Sequence, residues 1–274
     1  MPPTITSSLD TTLSAIRALV YAPPGYGKTF SSLTMSEQCP AWLTHERPKT
    51  LVKRDPVELT DMLWVAFDKG ATDGFKQQGI SVPLIDLSAE GPETIAAAAA
   101  AAVKLAKARA DEGLTKVVVI DTVTALDEML VGYNSVVRGL EKLDLYGALK
   151  QDHIRIALPF GQLKCHVLFL CHAKAKTEMG GSSATAQMVA TNQRRAAAAS
   201  GSGDIMPAIT GGALNLYRRN VSFEFSQLKE TAGGVVRNFF LTEHHEQETK
   251  SRTVLPAKVP ADWRVVRKLI EGAA

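Results

Sequence analysis

Ala-Pro-Pro-Gly-Tyr-Gly-Lys-Thr, residues 22–29, is the stretch that decides the fold. An apolar run at 16–21 precedes it and predicts a strand, and residues 29–37 predict a helix. A glycine-rich turn between a strand and a helix lets backbone N–H groups converge on an anion, which the helix dipole also favours. The stretch therefore predicts a phosphate-binding loop.

The residue types in this loop predict individual contacts with a nucleotide. Lys28 can reach the β- and γ-phosphates, and the Thr29 hydroxyl can bind Mg²⁺. ATP and Mg²⁺ are the expected cofactors. One residue departs from the pattern, since Ala22 stands where glycine is usual. The predicted cofactor-binding residues are Pro24, Gly25, Tyr26, Gly27, Lys28, Thr29 and Phe30.

A second apolar strand ends in an acidic residue. Residues 116–120 suit a strand buried on both faces of a parallel sheet, and Asp121 follows them. Ligands of open α/β sheets bind at the carboxyl ends of the strands. We therefore expect Asp121 to support the metal together with Thr29.

Catalytic candidates follow from the ends of the other apolar strands. Thr122 follows Asp121 where a catalytic glutamate would be usual, so a water-orienting carboxylate must come from elsewhere. Asp68, after Leu-Trp-Val-Ala-Phe, is the first candidate and Asp86 is the second, although either carboxylate could instead cap a turn. His172 ends Val-Leu-Phe-Leu-Cys-His and is predicted to sense the γ-phosphate, the alternative being a structural histidine at a strand end.

Composition limits the classes of protein that this chain can represent. With 274 residues and an apolar fraction of 45%, it can bury a substantial core. The net charge of +3 argues against general binding to polyanions, so any nucleic-acid site must be local. Three cysteines without paired or metal-binding spacing predict reduced thiols and a cytoplasmic protein. Neither a signal peptide nor a membrane span is expected.

Apolar strands alternating with helices predict an α/β doubly wound sheet. Residues 1–14 are expected to form a flexible arm, and 15–274 a single domain with a mobile loop at 177–212 and C-terminal strands and a helix at 221–271. Further strands are predicted at 63–67, 82–87, 166–170, 221–225 and 235–241, and helices at 92–112, 123–131, 146–157 and 260–271.

The order of the three motifs resembles the short RecA-core ATPases of bacteriophages, some of which act as single-strand-annealing recombinases. The motifs are the loop, Val-Val-Val-Ile-Asp-Thr and Leu-Phe-Leu-Cys-His-Ala-Lys, and Met-Pro-Ala-Ile-Thr-Gly-Gly at 206–212 is also similar. The resemblance covers roughly residues 14–225. It implies a RecA-like P-loop NTPase core: a mainly parallel twisted sheet, helices on both faces and a small antiparallel C-terminal extension. It also implies ATP hydrolysis, in the host cytoplasm if a phage encodes the chain.

The resemblance carries specific residue roles. Lys28, Asp121 and His172 would join Asp68, the candidate from its strand end, in the catalytic set, with Thr29 and Asp121 at the metal. The departures at Ala22 and at the missing glutamate leave slow hydrolysis, or ATP as an assembly switch, open.

The resemblance further implies partners. Single-stranded DNA would contact the mobile loop, although the loop lacks the aromatic residues that usually stack bases. A homo-oligomeric ring or filament would place a neighbour's basic residue at the ATP site, and single-strand-binding or replication proteins are further expected partners. The predicted DNA contacts are Lys174, Lys176, Arg194, Arg195, Arg218 and Arg219, and the residues predicted to act in trans are Lys250, Arg252 and Lys258.

Three functions remain open from the sequence. The first is a recombination ATPase that assembles on single strands. The second is a P-loop motor or helicase loader acting on a protein partner. The third is a non-hydrolysing nucleotide switch that controls assembly. Kinase chemistry ranks lower, since no acceptor-site motif is visible.

Overall fold

The computed structural model describes residues 15–43, 56–175, 205–232, 235–242, 250–251 and 255–272. Its strands are β1 Arg17–Ala22, β2 Met62–Ala66, β3 Leu84–Asp86, β4 Val117–Asp121, β5 His166–Ala175, β6 Ile205–Pro207, β7 Phe223–Ala232, β8 Val235–Leu241, β9 Lys250–Ser251 and β10 Lys258–Pro260. Its helices are α1 Lys28–Ser32, α2 Asp73–Gln77, α3 Ile95–Asp111, α4 Val123–Gly132, α5 Lys142–Asp152, α6 Leu158–Gly161, α7 Gly211–Asn220 and α8 Trp263–Gly272.

The sheet has the order β10-β8-β7-β1-β5-β4-β2-β3, with β6 paired to β5 and β9 to β7. The six strands from β3 to β7 in this order pair in parallel, whereas β8, β9 and β10 join by antiparallel pairing. The predicted class, a mainly parallel α/β sheet with helices on both faces and an antiparallel C-terminal extension, is confirmed.

Strand β5 separates β1 from β4, and this order positions the site. The register pairs Ala22 with His172, Leu170 with Asp121, and Asp121 with Ala66. Four parts of the chain therefore meet at one edge of the sheet. They are the loop after β1, the residues after β2, Asp121 and His172. This edge is the usual ligand crevice of an open α/β sheet.

The central strands are buried on both faces, which explains why they are apolar throughout rather than alternating. On β4, Val118 and Ile120 pack into the core beneath α3 to α7, whereas Val117 and Val119 pack into the core beneath α2 and α8. The two cores fix the sheet between two helical layers.

The last residues of the segment predicted as a mobile loop, 205–212, contain regular structure, whereas 177–204 lies outside the described residues. Ile205–Pro207 forms β6, which pairs antiparallel with the end of β5, and α7 begins at Gly211. Ile205 and Ile209 are buried, and this burial orders a stretch whose composition alone predicts a loop. The arm predicted at 1–14 lies outside the described residues.

Several element boundaries also differ from prediction. The helix expected at 29–37 ends at Ser32 and continues as a 3₁₀ turn, Leu33–Met35. The helix expected at 146–157 begins at Lys142 and ends at Asp152, and a π-helical turn, His153–Ala157, follows. The strand expected at 221–225 runs over Phe223–Ala232, because β8 pairs with its residues from Ser226 to Ala232.

Within the described ranges, no helix is both long enough and apolar enough to cross a membrane.

Candidate functional site

The loop after β1 depends on glycine at two positions. Gly25 and Gly27 have φ values of 78° and 80°, in the left-handed region that favours glycine. Ala22, by contrast, is the last residue of β1 and is buried in extended backbone. Its departure from the usual motif therefore falls where the chain needs no glycine.

Lys28 is folded back onto the loop. Its Nζ donates hydrogen bonds to the Ala22 carbonyl at 2.9 Å and the Pro23 carbonyl at 3.3 Å, and the side chain is buried. Burial lowers the pKa of Lys28 to about 8, against the opposing effect of Asp121. The two carbonyl oxygens hold the ammonium group where an incoming phosphate would bind it.

Two oxygen atoms suited to a cation or to its bound water converge beside this lysine. The Thr29 hydroxyl donates to Asp121 Oδ2 at 2.8 Å, and Trp64 Nε1 donates to the same oxygen at 3.3 Å. Burial raises the pKa of Asp121, while the hydrogen bonds from Thr29 and Trp64 oppose the rise. A hydroxyl and a carboxylate are oxygen ligands that suit Mg²⁺.

Thr29 and Asp121 are few protein ligands for a metal ion. No group of three or more His, Cys, Asp or Glu side chains with metal-binding geometry occurs among the described residues. Magnesium at nucleotide sites takes only one or two protein ligands, with phosphate and water completing the shell. Thr29 and Asp121 fit that pattern.

Asp68 and His172 form a pair that also lines the site. His172 Nε2 lies 3.1 Å from Asp68 Oδ2, and this hydrogen bond holds the pKa of Asp68 below its usual value. The His172 backbone N–H donates to the Thr124 hydroxyl at 2.9 Å, which ties β5 to the first turn of α4. His172 Nδ1 is buried and has no hydrogen-bond partner among the described residues.

These groups share one cavity of about 400 Å³. The four predicted catalytic residues all line it, and so do six of the seven predicted cofactor-binding residues, Tyr26 being the exception. Its lining is Pro24, Gly25, Gly27, Lys28, Thr29, Phe30, Asp68, Lys69, Gly70, Ala71, Gly74, Asp121, Thr122 and His172.

Two predicted residues lie away from the cavity lining. Asp86 is exposed at the edge strand β3, where its carboxylate accepts the Ser88 backbone N–H at 3.0 Å. Tyr26 contributes its carbonyl to a contact behind the loop rather than to the lining, since that oxygen accepts a hydrogen bond from Gln227. Of the two carboxylates predicted as candidates to orient water, Asp68 lines the cavity and Asp86 does not.

Gln227, on β7, supports the loop from behind. The sequence motifs do not predict this role. Its Nε2 donates to the Tyr26 carbonyl at 2.6 Å, and its Oε1 accepts from the Ser31 hydroxyl at 3.0 Å. The Asn238 side chain lies beside it, with Nδ2 only 3.0 Å from where a Cβ on Gly27 would stand. The sequence carries no signal that singles Gln227 out, because β7 also contains the polar residues Glu224, Ser226, Lys229, Glu230 and Thr231.

The predicted basic contacts have varied settings. Arg218 forms a two-pronged ion pair with Glu224, at 3.0 and 2.9 Å, and Lys174 donates to the Ile209 carbonyl at 3.1 Å. Lys258 pairs with Glu230, and Arg219 is exposed at the end of α7. Lys176, Arg194, Arg195 and Arg252 lie outside the described residues, and Lys250 is described only as backbone of β9.

Comparisons with solved structures identify distant similarities. The flagellar accessory protein FlaH from Methanocaldococcus jannaschii is 11% identical, with 82% of this chain and 76% of that chain covered and a TM-score of 0.37. The RadB recombinase is 10% identical, with 85% and 83% covered and a TM-score of 0.42. None of the curated proteins compared with the chain matches it.

A family model gives the decisive comparison. The model for an AAA domain, AAA_24, matches residues 14–253, a span that includes the loop, Asp68, Asp121 and His172. Because this match covers most of its length, the chain belongs to the AAA domain family AAA_24.

Proposed function

We propose that the chain binds Mg²⁺·ATP in this cavity and hydrolyses it, as a RecA-like ATPase. One observation carries the proposal. A single cavity is lined by Lys28, by the hydrogen-bonded Thr29 and Asp121, and by the hydrogen-bonded Asp68 and His172. A site that held phosphate alone would need the loop but not an ionised carboxylate paired with a histidine.

The loop side of the cavity would bind the phosphates and the metal. Lys28 would exchange its two carbonyl partners for phosphate oxygens, which are stronger partners because they carry charge. Thr29 would bind Mg²⁺ directly, and Asp121 would hold a metal-bound water through the oxygen that now accepts from Thr29.

Asp68 would orient the attacking water. Its lowered pKa keeps it ionised near neutral pH, so it can accept a hydrogen bond from water or take the proton. His172 holds the carboxylate in place through their hydrogen bond. Because both side chains line the same cavity, His172 would also contact the γ-phosphate there. Loss of that phosphate would then alter the hydrogen bonding of His172. Because His172 lies on β5, the change would act on the residues that follow this strand.

ATP turnover tests this proposal. The full chain is assayed with Mg²⁺, with Lys28→Ala as the blank and Asp86→Asn as the matched carboxylate control. We expect turnover in the wild type and in Asp86→Asn, and none above background in Lys28→Ala. Tight ATP binding without turnover would overturn hydrolysis and leave the nucleotide switch. Absence of ATP binding would overturn the proposal altogether.

We also propose that the ATPase acts on single-stranded DNA as a homo-oligomer. The favouring observation is covalent continuity: β5 carries His172 at the ATP cavity and ends at Ala175, directly before the segment that contains Arg194 and Arg195. A contact between His172 and the γ-phosphate would thus act on the strand that leads into that segment. Arg218 is engaged with Glu224, which argues against it as a DNA contact, and the predicted contacts within the segment after β5 are Arg194 and Arg195.

DNA stimulation of turnover separates this proposal from its alternatives. We expect single-stranded DNA to raise ATP turnover several-fold and the Arg194→Ala, Arg195→Ala double variant to lose that rise. Turnover that is indifferent to DNA would contradict the proposal and favour a motor or loader that acts on a protein. A phage origin stays a prediction from the resemblance.

A further inference from the structure

Trp42 is an exposed tryptophan close to the ATP cavity. Its side chain is 59% exposed, whereas Trp64 and Trp263 are fully buried. Tryptophan is highly buried on average because water solvates its large apolar surface poorly. Among the described residues, the Trp42 side chain has no hydrogen bond or ion pair that would explain its exposed position.

Trp42 contacts a residue that lines the cavity. Its ring centroid lies 5.5 Å from that of Phe30, at an interplanar angle of 59°. Phe30 directly follows Thr29 and lines the cavity with it. Phe30 lines the cavity, and Trp42, which contacts it, is exposed to solvent; we name these two residues the aromatic platform.

The inner end of the platform is fixed in place. Phe30 packs edge-on against Phe75 at 5.5 Å, and Phe75 packs edge-on against Trp64 at 5.0 Å. Gly74 allows this packing, since a Cβ there would lie 2.8 Å from Phe30 Cζ. Trp64 in turn donates to Asp121, so a line of aromatic rings connects the metal corner to Trp42.

The direction of a bound nucleotide follows from the charged groups. Lys28, Asp68 and His172 mark the terminal phosphates, so the nucleoside must lie over the remainder of the cavity wall. That remainder includes Phe30 and Gly74 but none of β7 or β8. Besides Phe30 and Gly74, that remainder consists of the loop residues themselves and residues 69–71 and 121–122, so Phe30 is the aromatic residue of the wall that a base can reach.

We propose that the base of the bound nucleoside triphosphate stacks on the aromatic platform, and that the site consequently prefers purine over pyrimidine nucleotides. This inference rests on the proposed function, because it needs a triphosphate on the loop. Aromatic faces attract any base, but a purine covers more ring area than a pyrimidine does. ATP and GTP should therefore bind with similar affinity, and CTP and UTP more weakly.

Tryptophan fluorescence tests the contact directly. The chain has three tryptophans, of which Trp42 alone is exposed, so acrylamide quenching reports mainly on Trp42. We expect saturating Mg²⁺·ATP to reduce acrylamide quenching, and Mg²⁺·tripolyphosphate, which has no base, to leave it unchanged. Equal quenching with and without ATP would overturn the inference.

Affinity measurements on variants supply a second test. Trp42→Ala should weaken ATP binding about ten-fold and leave tripolyphosphate binding unchanged, since stacking of one base on an aromatic ring is worth a factor of this order. Trp42→Phe should restore most of the loss. Tyr146→Ala, which removes an exposed aromatic side chain from α5, is the matched control and should bind ATP as the wild type does.

The outcomes separate the inference from the proposed function. Binding of tripolyphosphate and ATP with equal affinity, unaffected by Trp42→Ala, would overturn the aromatic platform and leave the phosphate site standing. Failure of both ligands to bind would overturn the proposed function itself. Loss of affinity for both ligands in Trp42→Ala would show a structural role for Trp42 and would also overturn the inference.

Discussion

Two aspartate–histidine pairs in this molecule make similar contacts in opposite surroundings. Asp68 and His172 lie 3.1 Å apart beside the cavity, with side chains 40% and 26% exposed. Asp127 and His153 lie 2.8 Å apart in the core beneath α4, α5 and α7, with side chains 7% and 0% exposed. We call them the open pair and the sealed pair.

Every polar side-chain atom of the sealed pair has a hydrogen-bond partner. Asp127 Oδ2 accepts from both the backbone N–H and the hydroxyl of Thr210, and His153 Nδ1 lies 3.0 Å from the Tyr217 hydroxyl. Burial raises the pKa of Tyr217 well above its usual value, so that hydroxyl keeps its proton and can donate to His153. The network joins three helices and the residue before α7.

The open pair retains unused hydrogen-bonding capacity instead. His172 Nδ1 has no partner within the described ranges, and Asp68 lines the cavity. Buried polar groups in stable cores are nearly always hydrogen-bonded, so an unpartnered one calls for a functional explanation. The difference teaches that the same two residue types can complete a buried network or, at a cavity, keep hydrogen-bonding positions that the proposed reaction would use.

The largest effect on stability is expected from the sealed pair. Asp127→Ala should lower the free energy of unfolding by about 3 kcal/mol, because it leaves the buried His153 and the half-buried Thr210 without their acceptor. Urea denaturation measures the change. Asp144→Ala, at an exposed site on α5, is the control and should stay within about 0.5 kcal/mol. A loss as small as the control's would remove the distinction between the two pairs.

A smaller effect is expected behind the phosphate loop. Gln227→Leu should lower the free energy of unfolding by about 1–2 kcal/mol and raise the KM for ATP, since the Tyr26 carbonyl and the Ser31 hydroxyl lose a buried partner. A double-mutant cycle with Ser31→Ala should show coupling of about 0.5 kcal/mol or more. Additive effects would show that Gln227 acts on the loop without Ser31.

The smallest effect concerns the pH dependence of the open site. Because burial lowers the pKa of Lys28 to about 8, affinity for Mg²⁺·ATP should be constant below that pH and fall by at most tenfold per pH unit above it. Lys28→Arg keeps its charge, so any binding that it retains should lack this decline. Equal declines in both proteins would assign the effect to another group.

The same lysine affects stability with the opposite trend. In unfolded chain its pKa is the ordinary 10.5, so between pH 8 and 10.5 the unfolded state binds more protons than the folded state does. The Lys28 contribution to the free energy of unfolding should therefore rise with pH across this window when no nucleotide is bound. Subtracting the pH profile of Lys28→Met from that of the wild type isolates this contribution.

Local patterns in the sequence predicted most of the phosphate side of the site. The glycine turn needs only neighbouring residues, and an apolar strand that ends in an acid identifies Asp121 without knowledge of the partner strands. The parallel class follows from the same runs, because strands buried on both faces show no alternation.

The features that the sequence did not predict depend on distant contacts. Asp68 and His172 are 104 positions apart, so each could be placed at a strand end but their hydrogen bond could not be foreseen. Gln227 reaches the loop across 201 positions. The helix α7 begins at a Gly-Gly pair that disfavours helices, and it forms because Leu214 and Tyr217 are buried against the sheet.

Single-turnover cleavage of bound ATP by Asp68→Asn is the most direct test of the open pair. Protein in excess over radiolabelled ATP and Mg²⁺ is followed in the wild type, in Asp68→Asn and in the control Asp86→Asn. We predict that Asp68→Asn binds ATP with near wild-type affinity and melts within a few degrees of the wild type. Its cleavage rate should be about 10²- to 10⁴-fold lower, the usual contribution of a general base. Cleavage at the wild-type rate by Asp68→Asn would contradict the assignment of the chemistry to the open pair.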